Sequence, residues 1–394
     1  MRKVIFISMI VNLSWATDNT IDLDILLNNN NQKDKIDRFI EDSYLSNTIK
    51  GVANSQTAPL SFDSTLSRSI SKPLSGFEYE IGFSKELKVG NVQELEQKST
   101  ILSSEATKIE QQKRFILLNN TIKNLYNQYC LDREYQNYFR INYNEFDALH
   151  QKKKIAYELG EISKRELIQI KLKKDELSID FANFSTRVND EKVMLLSFGN
   201  FDIENQLNCY DMTPIDGNIE ANQEQFSLSK KAYEKIVESN QVSIKRYYKK
   251  FDKIELSTHY TKEIDRDVYS IGVSIPLNIS SKKYEYKRAS LMNQISAIQS
   301  NQELFIQKSL LKIKELKLKL KRIYKDIVQK KSNIENYEAS LLPLEQKSYN
   351  YGESSVVEYL LAKQNIMRYK EKLLEKKREY YQILFSLYTI MEKR

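Results

Sequence analysis

Tyr157-Glu158-Leu159-Gly160-Glu161-Ile162-Ser163 returns later in the chain as Tyr349-Asn350-Tyr351-Gly352-Glu353-Ser354-Ser355. Tyrosine, glycine, glutamate and serine keep their places. Glu166 and Lys171 then match Glu358 and Lys363 at the same offset of 192 residues (352 − 160). Upstream, Tyr79, Ile81, Gly82 and Ser84 return as Tyr269, Ile271, Gly272 and Ser274 at an offset of 190 (272 − 82). Two unlike segments repeating in one order at nearly one offset read as a duplicated half-protein, far longer than the roughly 20–50-residue unit of solenoids and propellers. The expected organisation is a first repeat over 17–205 and a second over 206–394, each with a helix, a strand hairpin and a long helical hairpin.

The glycines matter because little else interrupts the chain. Nine Gly and five Pro in 394 residues fall well below the usual share of roughly 7% and 5%. From Val92 to Glu158 there is neither, and Ile101, Leu102, Ile109, Phe115, Ile116, Leu118, Ile122, Leu125 and Tyr129 recur at helical spacing. A helix of that span is on the order of 100 Å long. A second such stretch runs from Lys282 to Tyr349, broken only by Pro343, and each meets a turn at Gly160 or Gly352 before a further helix, Lys164 to Ser197 or Val356 to Glu392. The Lys-Leu alternation from Lys312 to Leu320 has strand period, but breaker-free helical segments flank it and a helix is expected there. Hairpins this long need neighbouring helices to cover their apolar stripes, as in coiled coils.

Four segments carry strand period instead. Phe77, Tyr79, Ile81, Phe83 and Leu87 alternate with Glu78, Glu80, Gly82, Ser84 and Glu86; Tyr269 to Ile279 alternates likewise, and Leu60 to Ile70 and Ile254 to Lys262 are the expected partners. Strands of about ten residues with one apolar, aromatic face suit a membrane barrel, in which no backbone group is left unpaired. Four strands cannot close one, since membrane barrels have at least eight. Several chains must contribute.

Arg2, Lys3, the apolar run Val4 to Val11 and Ser14-Trp15-Ala16 read as a secretory signal over 1–16. No later run reaches the roughly 18 apolar residues of a membrane helix. The net charge of +8 comes largely from lysines interleaved with leucine and isoleucine; Lys312 to Lys331 holds nine Lys/Arg against Glu315 and Asp326. A solvated helix face is expected there, with no nucleic-acid partner. Two cysteines, Cys130 and Cys209, make no disulfide scaffold and no lipid anchor; a single bridge between them is left open. His150 and His259 have no Cys or carboxylate cluster at metal spacing, and no phosphate loop or nucleophile elbow is visible. No catalytic site, metal or cofactor is expected.

The order of signal, helix, strand hairpin and long helical hairpin, stated twice, resembles the TolC-type outer-membrane efflux family over nearly the whole mature chain. The most specific pieces are the two tips, Tyr157-Glu158-Leu159-Gly160-Glu161-Ile162 and Tyr349-Asn350-Tyr351-Gly352 followed by Val356-Val357-Glu358 and Leu360-Leu361-Ala362. Gly82-Phe83-Ser84-Lys85-Glu86-Leu87-Lys88-Val89-Gly90 resembles the heavy-metal-efflux branch. The resemblance implies a mainly α fold with β, a homotrimer whose chains each give four strands to a twelve-strand outer-membrane barrel, continued by a long periplasmic α-helical barrel. It implies an exit duct working with a periplasmic adaptor and an inner-membrane RND or ABC pump, with outer-membrane lipid around the strands. The rival reading is a periplasmic adaptor or a structural coiled-coil protein, although an adaptor carries one helical hairpin and this chain has two.

The same resemblance implies roles for residues. Glu166 and Glu358, six positions after the tip glycines, stand where the family places carboxylates of the inner constriction, and three copies would form an acidic ring. Tyr349 matches a gate tyrosine, with Glu166 its expected partner. Ser354 stands where some members carry a gate arginine, and Leu361 where a second ring carboxylate falls. Leu159, Gly160, Glu161, Tyr351, Gly352 and Glu353 are expected at the adaptor-docking tips. Glu78, Glu80, Glu86 and Glu255 are expected to face the barrel lumen.

Overall fold

The computed structural model describes residues 20–28, 30–70, 75–217, 226–249, 251–276 and 282–393. The expected signal segment and the end of the last expected strand, 277–279, lie outside them. The described elements are β1 (Thr20–Ile21), α1 (Leu23–Asn28), α2 (Asn30–Ser55), β2 (Ser61–Ile70), β3 (Ser75–Lys88), α3 (Val92–Glu158), α4 (Lys164–Gly199), β4 (Gln206–Leu207), α5 (Ser227–Arg246), β5 (Lys253–Lys262), β6 (Asp267–Ser274), α6 (Lys283–Asn336), a π-helical turn (Tyr337–Leu341), α7 (Leu342–Asn350) and α8 (Val356–Ile390).

The breaker-free stretch from Val92 is one helix of 67 residues. It begins sharply because Gly90 and Asn91 both take positive φ, at 67° and 61°, a pair of left-handed residues that turns the chain out of β3. The Lys-Leu alternation is helical. Ile313, Leu316, Leu320, Ile323, Ile327 and Ile334 are buried at spacings that alternate three and four and close on seven, while the lysines between them stay solvated or half-buried. Alternation in composition hid a coiled-coil seam. On α8, Leu360, Met367, Leu374 and Tyr381 are buried at strict intervals of seven.

The expected helix from Lys282 to Tyr349 is not uniform. Pro343 has no N–H to give and its ring crowds the carbonyl four residues back, so the helix widens just before it. The Leu342 N–H reaches the Tyr337 carbonyl, a five-residue step, and α-helix resumes with Pro343 in its first turn.

The four long strands form one antiparallel sheet in the order β2-β3-β5-β6. The central pairing joins the two expected repeats, with Gly82 opposite His259 and Glu86 opposite Glu255. β2 and β6 are its edges. A second, two-stranded sheet pairs β1 with β4 in parallel, Ile21 beside Leu207.

The chain divides into two compact units, each drawing on both halves of the sequence. One holds Thr121–Gly217, Ile323–Gln382 and the described residues up to Gln32; the other holds the described residues of Lys33–Asn120, Asn218–Arg322 and Ile383–Arg394. The first contains both tip turns, the second the four-stranded sheet. In the second unit, α5 is capped from far away. Phe226 offers no side-chain cap, and the Glu392 carboxylate accepts from the N–H groups of Leu228 (2.9 Å) and Ser229 (3.1 Å).

Candidate functional site

The two tip turns agree atom by atom at the offset of 192. The Gly160 N–H donates to the Tyr157 carbonyl (3.0 Å) and the Glu161 N–H to that of Ala156 (2.8 Å); the Gly352 N–H donates to Tyr349 (3.1 Å) and the Glu353 N–H to Ser348 (2.9 Å). This is the Schellman ending of a helix, which requires a left-handed residue. Gly160 has φ 78° and Gly352 φ 75°. Leu159 and Tyr351, equivalent at the same offset, project from the two turns at 71% and 80% exposure. The next helix then starts alike in both: Ser163 Oγ accepts from the Glu166 N–H and Ser355 Oγ from the Glu358 N–H, each at 3.2 Å.

The glutamates differ in what their carboxylates do. Glu358 completes a reciprocal capping box, its Oε2 accepting from the Ser355 N–H at 2.8 Å. Glu166 instead faces Lys153 of α3, with Oε1 3.9 Å from Nζ. The ammonium of Lys153 also lies 5.4 Å from the ring centre of Tyr349. A single cation thus stands against both Tyr349 and Glu166, the two residues expected to pair. Tyr349 stacks flat on Tyr359, ring centres 5.3 Å apart and planes 6° from parallel. Lys363, over the Tyr359 ring, is paired with Glu145. Glu145, Phe146, Lys152, Tyr349, Tyr359 and Lys363 line a cleft of about 420 Å³.

Ser354 Oγ is buried with no hydrogen-bond partner, and Leu361 is exposed. In Glu353 the carboxylate accepts from Ser348 Oγ at 3.4 Å. Lys153 was missed from sequence because its repeat equivalent, Glu345, has the opposite sign, so the duplication carries no trace of it.

The first unit also holds a buried charge cluster. Asp132 of α3, 0% exposed, meets Arg187 of α4 (2.6 Å) and Arg378 of α8, and Arg378 also reaches Glu191 (3.1 Å) and Gln128 (3.2 Å). Asp132 Oδ1 and Glu191 Oε2 have no partner. Burial, then the neighbouring Asp132 carboxylate, pushes Glu191 up to about 7 against the opposing pull of Arg378 and Arg187. The sequence signal was an aspartate and an arginine set inside the apolar stripes of α3 and α8.

Sequence reading left open the pairing of Cys130 with Cys209, and the structure closes it: the two form a disulfide with Cα atoms 5.6 Å apart. Their separation of 79 residues gave no hint that the segment after α4 returns to the middle of α3.

In the sheet, Glu78, Glu80, Glu86, Glu255 and His259 share one face by register. Lys253 Nζ lies 2.7 Å from Glu86, which relieves the facing of Glu86 and Glu255, and His259 Nδ1 lies 3.1 Å from Glu80. A Cβ on Gly82 would stand 2.4 Å from that Nδ1, so the glycine makes room for the imidazole. The other face carries exposed Phe62, Leu66, Ile70, Phe77, Tyr269 and Ile271. Tyr79, Tyr260 and Tyr269 form a ladder across three strands at 5.9 and 5.0 Å. No group of three or more metal-binding side chains occurs among the described residues, and no described helix is long and apolar enough to cross a membrane.

Solved structures share this fold. The chain superposes on CusC, described in terms of folding and transmembrane channel formation, with TM-score 0.76 over 96% of this chain and 93% of that one at 13% identity. The fold is that of the TolC-type channels. The Campylobacter jejuni outer-membrane channel CmeC matches with TM-score 0.71 over 94% of this chain and 84% of its own at 12% identity. The open state of the Neisseria gonorrhoeae outer-membrane channel MtrE matches with TM-score 0.71, over 94% and 88%, at 14% identity. No family model and no curated protein matches the sequence.

Proposed function

We propose that this chain is the outer-membrane exit duct of a tripartite efflux or type I secretion system, a homotrimer receiving substrate from an inner-membrane RND or ABC pump through a periplasmic adaptor. One observation carries the reading: a four-stranded sheet that is apolar on one face and acidic on the other, with two unpaired edge strands, within a fold shared with outer-membrane channels. An open edge exposes unpaired backbone groups, which lipid does not tolerate. Three copies joined edge to edge give twelve strands and leave none.

The helices support the same assembly. Leu172 and Ile179 on α4, and Leu304, Leu311 and Leu318 on α6, are exposed at intervals of seven, second seams of the kind that pack against a neighbouring hairpin. In the trimer Glu166, Glu358, Tyr349 and Ser354 line the constriction, with Lys153 holding Glu166. Leu159, Gly160, Glu161, Tyr351, Gly352 and Glu353 receive the adaptor, where glycine lets a partner backbone approach closely. Glu78, Glu80, Glu86 and Glu255 face the barrel lumen.

Cell fractionation tests the reading. A heat-modifiable trimer in the outer membrane that conducts ions in planar bilayers is expected; a soluble, non-conducting chain would refute it. Replacing Gly160 and Gly352 with tryptophan is expected to abolish efflux while trimers still assemble, and normal efflux would remove the docking assignment.

A further inference from the structure

After β4 the chain runs from Asn208 to Gly217 without helix or strand, yet it is pinned along its length by buried groups. Tyr126, fully buried, donates its hydroxyl to the Asn208 carbonyl at 2.8 Å. The Thr213 N–H donates to Asn127 Oδ1 (2.8 Å), and the Tyr381 hydroxyl donates to the Thr213 carbonyl (2.6 Å). The Tyr380 hydroxyl donates to the Asp216 carbonyl (2.8 Å) and accepts from its N–H (3.0 Å). The Asn208 N–H in turn holds the Ile21 carbonyl at 3.0 Å, so β1 depends on the same strap.

Each such bond contributes only about 1 kcal/mol net, and a segment without regular structure opens locally more readily than the helices beneath it. The disulfide changes that. It sits between the Asn208 and Thr213 fastenings and closes a ring containing the end of α3, the Gly160 turn and all of α4. Cys130 is 2% exposed. Once the strap is down, its sulfur is out of reach of another protein, whereas Cys209 is only half-buried, so a partner can meet either thiol before the strap docks and Cys209 alone afterwards.

We propose that Cys130 and Cys209 are a thiol-oxidation site, joined by a disulfide-exchanging partner protein, and that the bridge locks residues 206–217 and β1 onto α3. The chemistry balances with a partner disulfide as oxidant. One thiolate of the pair attacks a partner sulfur, giving a mixed disulfide and one partner thiolate. The second thiolate attacks the mixed disulfide, forming the Cys130–Cys209 bond and releasing the other partner thiolate; two electrons pass to the partner. Such exchange proteins belong to oxidising compartments, so the inference rests on the export proposed above.

The test traps thiols with an alkylating reagent in whole cells, fractionates them, and maps peptides of the full chain without reduction. Hydrogen exchange is then followed on the purified protein before and after dithiothreitol, and on the C130S/C209S double variant. We expect a bridged Cys130–Cys209 peptide. We also expect the amides of Asn208 and Thr213 to exchange at least about tenfold faster after reduction, with the Gly160 and Gly352 turns unchanged. Two alkylated cysteines in native protein, or strap exchange indifferent to reduction, would overturn the proposal. If the double variant does not accumulate, reduction of the wild-type protein still decides. A bridged chain in a soluble fraction would sink the channel reading and spare this one; free thiols in an outer-membrane protein would do the reverse.

Discussion

Lys153 stands 3.9 Å from the carboxylate of Glu166, whereas Glu358, the repeat equivalent of that glutamate, turns its carboxylate onto its own helix start. A carboxylate stands at the same place in both hairpins, and its surroundings give it two different tasks. In the proposed trimer this makes three salt-bridged and three capping glutamates.

The first prediction concerns that cation. With Lys153 partly neutralising Glu166, the Lys153→Gln channel should prefer cations more strongly than wild type, and Glu166→Gln less strongly. Reversal potentials in asymmetric salt read both. An unchanged potential in both variants would remove Glu166 from the conduction path.

The tip glycines give a second test. A Cβ at Gly160 or Gly352 meets nothing within 4 Å, so the cost of Gly→Ala is conformational, about 1 kcal/mol at each position. Asn, which tolerates the left-handed region, should cost less. Gly82→Ala acts differently: its Cβ would press on His259, and His259→Ala should rescue it. Thermal unfolding of the single variants and of the Gly82/His259 double variant separates strain from clash.

Stability should depend on pH through Glu191. Its folded-state value of about 7 stands above the ordinary 4.5, so the folded chain holds this proton more tightly than the unfolded one. The stabilisation is full below pH 4.5 and is lost as pH rises through about 7. Across that window wild type should lose stability relative to Glu191→Gln, which has no carboxyl to titrate. Parallel melting curves at pH 4.5 and 8 would contradict the assignment.

Glu392 closes the start of α5 from the far end of the chain. Glu392→Ala leaves the Leu228 and Ser229 N–H groups without their acceptor and should cost about 1–2 kcal/mol, seen as a lower unfolding midpoint in denaturant.

Much of this fold was legible because its signals are local and periodic. Absent breakers gave α3 its approximate bounds, and alternation gave the four strands within a few residues. The duplicated Tyr-Gly-Glu-Ser pattern marked both turns. What escaped depends on distant segments meeting. Lys153 meets Tyr349 of the other hairpin, and its repeat equivalent has opposite charge. The Cys130–Cys209 bond needs the strap to return to α3, and the Asp132–Arg378 pair needs α8 beside α3. The π-turn was missed for a different reason: Pro343 warned of a break, but a helix can absorb a proline by widening one turn earlier.

The most direct measurement is native mass spectrometry of the full chain extracted from outer membranes in detergent. Edge-to-edge closure of β2 and β6 requires three chains for twelve strands, so a single species with three times the mature chain mass is predicted. A monomer, a dimer, or recovery of the chain only from the soluble fraction would contradict the account.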